Sequence, residues 1–144
     1  MPIVGFSFDK IFAEKSKPIE GQVSVKRDLA IKSIKKEEVE LGPKRTEDLL
    51  RCDFEFSVKY EPSVGIVTID GHILYREEAP DLKKILDNWK KNKSLPAGLT
   101  TLLLNAVLIR CNIRALSLTQ EVGLPPHLQL PTVSPKSKAS DYIG

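Results

Sequence analysis

The chain has 144 residues, with 22 Lys and Arg against 19 Asp and Glu, a formal net charge of +3. That length carries one domain with a real hydrophobic core, and 41% apolar with 28% charged residues is the make-up of an ordinary globular protein. The positive charge is mild and dispersed, Lys35-Lys36 being followed at once by Glu37-Glu38, which argues against a nucleic-acid binder.

No charged-then-apolar opening marks a secretory leader. The densest apolar run, Leu102 to Ile109, is broken by Asn105 and stopped by Arg110. It falls well short of the roughly 20 residues that span a bilayer, so stable membrane insertion is not expected. Cys52 and Cys111 form no CxxC pair, pointing to a reducing compartment, without a disulfide framework or a zinc site. The expectation is a cytoplasmic domain over 1–131 with a polar tail over 132–144.

The first half shows the period-two alternation of half-buried strands. Val4, Phe6 and Phe8 share a face, and the pattern slips at Ile11-Phe12, as at a bulge or strand end. Ile19, Val23, Val25, Leu29 and Ile31 alternate with polar residues in a second strand, and Gly42-Pro43 predicts a loop over 42–48. The clearest strand runs Leu50, Cys52, Phe54, Phe56, Val58, Tyr60, and a Pro62-Ser63 turn leads into a fourth, with Val67, Ile69, Ile73 and Tyr75 on one face. Short turns between successive strands make antiparallel pairing the default.

Pro80 opens the helical half at a position that tolerates proline. Leu82, Ile85, Leu86 and Trp89 lie at i, i+3, i+4 and i+7, a short amphipathic helix whose end carries Lys90, Lys91 and Lys93. A long helix follows over 97–122 and stops at Gly123, a natural left-handed cap. It bears two apolar stripes. Leu102, Ala106, Ile109, Ile113 and Leu116 make one; Leu104, Val107, Leu108, Cys111, Ala115 and Leu118 make the other. Thr101, Asn105 and Asn112 form one polar seam between them, Arg110, Arg114 and Ser117 the other. An ordinary surface helix hides one stripe, so this one needs two covers: its own sheet and, through Leu104, Leu108, Cys111 and Ala115, a second subunit. Beyond it, Leu124, Leu128 and Leu130 among prolines predict an extended segment pinned to an apolar surface. Strands first and helices second make the fold class α+β, a four-stranded antiparallel sheet with a short and a long helix packed on it.

Catalytic chemistry has little footing. Asp70 and His72 share a strand face and form at most an acid–base pair; no third member accompanies them. His127 between prolines reads as a packed or surface histidine, and Cys52 and Cys111 as small core residues. GxSxG, HExxH, GxGxxG and the phosphate-cradling glycine loop are all missing. Neither an enzyme nor a cofactor or metal is expected. The lysines around Trp89 read as a solvated helix face rather than a nucleic-acid patch.

The arrangement over residues 3–133 resembles the SecB export-chaperone family. The resemblance is carried by Phe-Glu-Phe-Ser-Val-Lys-Tyr at 54–60, by Gly-Ile-Val-Thr-Ile-Asp-Gly-His-Ile-Leu at 65–74, and most specifically by Val-Gly-Leu-Pro-Pro-His-Leu-Gln-Leu-Pro-Thr-Val at 122–133. It implies a homo-oligomer, a tetramer built as a dimer of dimers. It also implies an ATP-independent chaperone that binds unfolded polypeptides in apolar grooves, with no cofactor and with a role in protein transport. The candidate groove residues are Phe6, Phe8, Phe12, Tyr60, Tyr75, Leu86 and Trp89. The family's bacterial export members are strongly acidic whereas this chain is +3, which sets docking to a translocation motor apart from the other implications. The alternatives are a hot-dog-like small-molecule-binding domain or enzyme, in which Asp70 and His72 would matter, and a pure assembly subunit.

Overall fold

A computed structural model of the chain describes residues 3–135. The part of the expected tail over 136–144, with Lys136 and Lys138, lies outside the described residues. Strands β1 (Ile3–Lys15), β2 (Ser24–Gly42), β3 (Arg45–Glu61) and β4 (Gly65–Tyr75) precede helices α1 (Ala79–Asn92) and α2 (Ala97–Val122). The strands form one antiparallel sheet in the order β1-β4-β3-β2. The first strand therefore skips its sequence neighbour and closes on β4, with 16–23 crossing over the end of the β3–β4 hairpin, where the Ser16 amide donates to the Val64 carbonyl at 2.7 Å.

One face of the sheet is apolar because the alternation is strict. Leu50, Cys52, Phe54, Phe56, Val58 and Tyr60 of β3 and Val67, Ile69 and Ile73 of β4 are buried on the face that carries the helices. Arg51, Asp53, Glu55, Asp70 and His72 lie on the other face. Gly71 sits where β1 and β3 crowd β4: a Cβ there would overlap the Ser7 carbonyl and stand 2.6 Å from the Phe54 ring. Helix α2 covers β1 and β4, α1 packs on β2 and β3, and Leu124 and His127 are buried beyond the end of α2. The Tyr60 hydroxyl donates to the Pro125 carbonyl and fastens that closing segment.

Three boundaries differ from the sequence expectations. Residues 19–23 are crossover rather than strand, because Pro18 and Gly21 interrupt the chain and β2 begins only at Ser24. The expected loop at 42–48 is a turn at Pro43-Lys44, with both strands continuing to it. Cross-strand charge pairs hold that tip in register, Lys36 to Asp48 at 3.9 Å and Glu37 to Arg51 at 3.0 Å. In β1 the slip falls between Phe8 and Lys10, which returns Ile11 opposite Ile69 and turns Phe12 opposite Thr68, to the far face.

Helix α2 has the bounds expected from the sequence. At 26 residues the helix is long and apolar enough to cross a membrane by length and composition, a test that core helices of globular proteins also meet. Here its row Leu99, Leu103, Val107, Cys111, Ala115 and Leu118 is buried.

Candidate functional site

Two depressions open on the helix-bearing face. The first is the seam between edge strand β1 and α2, about 430 Å³, lined by Phe8, Ile113, Arg110, Arg114 and Ser117. The strand supplies the aromatic floor: Phe6 packs on Phe54 with ring centroids 5.2 Å apart and meets Phe8 edge-on at 5.5 Å. Arg110 lies over the Phe6 ring at 4.8 Å, a cation–π contact that fixes the guanidinium at the rim. Along this flank α2 shows Leu102, Ile109 and Ile113 to solvent, and β1 shows Val4, Phe8 and Ile11.

The second depression, about 770 Å³, lies between α1 and the β2–β3 tip that projects past the end of β4. Ile34, Leu82 and Leu86 make its apolar wall, and Lys35, Lys83 and Lys90 alternate with Glu47, Asp48 and Asp87 around it. Trp89, half-buried against the core, holds Lys93 over its ring at 5.3 Å.

The expected groove residues divide accordingly. Phe6 and Phe8 meet at the first depression, Leu86 lines the second, and Trp89 lies one turn from Leu86 on α1. Tyr60 and Tyr75 do not reach either one, since both are buried core residues near opposite ends of β3. Phe12 is exposed, on the face without helices. Burial pushes the Tyr60 hydroxyl up to about 12, and raises that of Tyr75 with help from Glu77.

The expected subunit-interface stripe is corrected as well. Cys111 and Ala115 have no exposed surface, being covered by the chain's own sheet, and Leu104 is half-buried; only Leu108 is exposed. The stripe that faces outward is the other one, centred on Ile109 and Ile113. A signal for this was present: Leu99 and Leu103 extend the row of Val107, Cys111 and Ala115 backwards at strict four-residue spacing, with small residues where the helix lies close to the sheet. Burial raises both thiols to about 12, so neither is a thiolate near neutral pH.

On the far face an ion-pair net crosses all four strands. His72 Nδ1 lies 2.8 Å from Asp9 Oδ2 of β1 rather than pairing with Asp70, whose Oδ1 is buried without a hydrogen-bond partner. Arg51 donates to Asp53 at 3.1 Å and to Glu37 at 3.0 Å, and Ser33 donates to Asp53 at 2.7 Å. Burial tends to raise the Asp53 carboxyl, but the Ser33 and Arg51 hydrogen bonds and the charges of Arg51 and Lys35 outweigh it and hold Asp53 below the usual carboxylate range. Asp9, Asp53 and His72 bring ligand atoms within 4.8 Å of one another, an arrangement that could hold a metal ion. The positive charge is already supplied by Arg51, within 4 Å of both carboxylates. Sequence reading missed this net because Asp9 meets His72 only through the β1–β4 pairing.

His127 is packed inside. It is hydrogen-bonded to the Asn112 side-chain oxygen at 2.8 Å and stands edge-on to Phe56 at 6.1 Å. Burial, seconded by the charge of Arg27, lowers its pKa and keeps the ring neutral.

Among solved structures, this architecture matches a Mycobacterium tuberculosis SecB-like chaperone in complex with a ChAD peptide from the HigA1 antitoxin. The superposition covers 92% of this chain and 89% of that one, with a TM-score of 0.52 and 14% sequence identity. The fold is SecB-like. No family profile and no curated protein matches the sequence. The likeness therefore lives in the order and packing of elements, a four-stranded antiparallel sheet followed by a short and a long helix.

Proposed function

We propose that this SecB-like chain is an ATP-independent holding chaperone that works in the cytoplasm, binding extended apolar segments of unfolded polypeptides and keeping them from aggregating, with a role in protein transport. The observation that carries the reading is the pair of open depressions flanking the helices, one with an apolar floor beside Phe8 and Ile113 and one with Leu86 on its wall under a charged rim. Exposed apolar surface such as that of Phe8, Ile109 and Ile113 marks an interaction site. Burial there, at roughly 25 cal/mol per Å², rewards any apolar segment and is indifferent to its exact sequence. The SecB-like relative was solved with a peptide from another protein, which supports polypeptide as the ligand class.

We assign the outward residues of α2 that lie outside the two depressions, Leu102 and Ile109, to contact between subunits of a homo-oligomer, with the two depressions left for clients. An enzyme reading gains nothing from His72, which is spent on Asp9 on the face away from both depressions.

The test is suppression of aggregation of a reduced, unfolded client, followed by light scattering without nucleotide. Wild-type protein should suppress it, and Leu86→Ser or Trp89→Ser should weaken suppression with the fold retained by circular dichroism. No suppression at several-fold molar excess overturns the proposal.

A further inference from the structure

We infer that the seam between β1 and α2 selects extended apolar segments that carry carboxylates, with Arg110 and Arg114 reading the charge. This rests on the chaperone reading above and names the client chemistry for one of its two depressions. Several cations around the sheet are engaged: Arg51 with Asp53 and Glu37, Arg76 with Glu47, Lys32 with Glu55. Arg110 and Arg114 stand instead beside the apolar floor of the seam. Neither has a hydrogen-bond or ion-pair partner among the described residues, and the Arg110 guanidinium lies over the Phe6 ring.

The two arginines are four residues apart, so they stand one turn apart on the same flank of α2, with Ile113 and Phe8 between them and the sheet edge. Further along, Lys15 at the end of β1 brings its ammonium to 3.2 Å from the Cβ position of Gly123, at the C-terminus of α2. The seam is thus positive at Arg110 and Arg114, while toward its end Lys15 is offset by Glu121 on the same flank of α2. The nearby carboxylate of β1, Asp9, is turned to the opposite face and held by His72.

Guanidinium groups match carboxylates in two-pronged geometry, and an apolar floor beside them leaves alternate side chains of an extended segment to be buried. Acidic polypeptide is the occupant that satisfies both. A second copy packed symmetrically over the same seam would instead set these arginines against their own equivalents, a like-charge contact that costs affinity.

The experiment measures fluorescence anisotropy of two labelled extended peptides with identical leucine and phenylalanine positions, one with Asp and one with Lys at the positions between. At low ionic strength the acidic peptide should bind wild-type protein about fivefold more tightly, the scale of two partly exposed ion pairs. The affinities should converge at ~0.5 M salt, where the screening length is about 4–5 Å. Arg110→Gln with Arg114→Gln should abolish the preference, and Arg110→Glu with Arg114→Glu should reverse it, with circular dichroism unchanged because both sites lie outside the core.

Equal affinity for the two peptides, or a preference that survives removal of both arginines, overturns the inference. So does a change of particle size in the glutamine variant, which would place a second copy on the seam. Client aggregation run in parallel separates the two failures. Suppression without charge preference sinks only this inference, whereas neither suppression nor peptide binding sinks the chaperone reading too.

Discussion

On one side of α2, Leu103, Val107, Cys111 and Ala115 have no exposed surface; on the other, Ile109 and Ile113 keep 62% and 67% of theirs. Residue type does not separate the two rows, since both are apolar and helically spaced. What separates them is the covering surface. The inner row lies over β1 and β4, whose alternation offers Phe6, Val67, Ile69 and Ile73, whereas Ile109 and Ile113 of the outer row stay exposed beside that sheet. A stripe that the chain's own sheet leaves bare is surface for binding, and its substitution should leave folding alone.

That contrast can be broken by graded substitutions. Leu103→Ala should have the largest effect, a loss of about 3 kcal/mol of stability from a buried cavity, read as a lower denaturant midpoint with a similar slope. If Leu103→Ala were nearly neutral, the inner row would not be core. His127→Gln should cost about 1–2 kcal/mol, through lost packing on Phe56 and a disturbed bond to Asn112.

Acid should weaken the wild type at the same place. With the folded pKa of His127 below its ordinary 6.5, the unfolded chain takes up the proton first. The stabilisation from a neutral His127 is complete above pH 6.5 and is lost as pH falls from there toward the folded pKa. Urea titrations across that window should show the decline in wild type and a flatter profile in His127→Gln.

Tyr60→Phe should cost about 1 kcal/mol, since the part-buried bond from the Tyr60 hydroxyl to the Pro125 carbonyl is lost. It should also loosen 124–130 in amide exchange while α2 keeps its protection. Ile113→Ser is the smallest case for stability, within about 0.5 kcal/mol, yet it should weaken oligomer formation or client binding. A clear fall in melting temperature for Ile113→Ser would erase the distinction between the two rows.

Much of the fold was legible in the chain. The alternation of Leu50 to Tyr60 and of Val67 to Tyr75 gave two central strands and their buried face. The spacing of Leu82, Ile85, Leu86 and Trp89 gave α1, and Gly123 gave the end of α2. The candidate site was only half legible. Phe8 and Leu86 each line a depression, whereas Tyr60 and Tyr75 were consumed by the core, because aromatic identity does not reveal which end of a strand is covered. Asp9 with His72 and the placing of Phe12 both depend on β1 skipping to β4 with a bulge on the way, and no local pattern encodes that partner choice.

The pairing of Ile3 with Tyr75 also sets a timetable. As the chain emerges N-terminus first, at about 5–20 residues per second, β1 is made before any strand it pairs with. The β2–β3 and β3–β4 hairpins can form as local units while Phe6, Phe8 and Ile11 wait without a neighbour. Contacts between such distant residues close late, because the intervening loop must be ordered first. Each newly made copy of this protein is thus, for its first seconds, an extended apolar segment in need of cover.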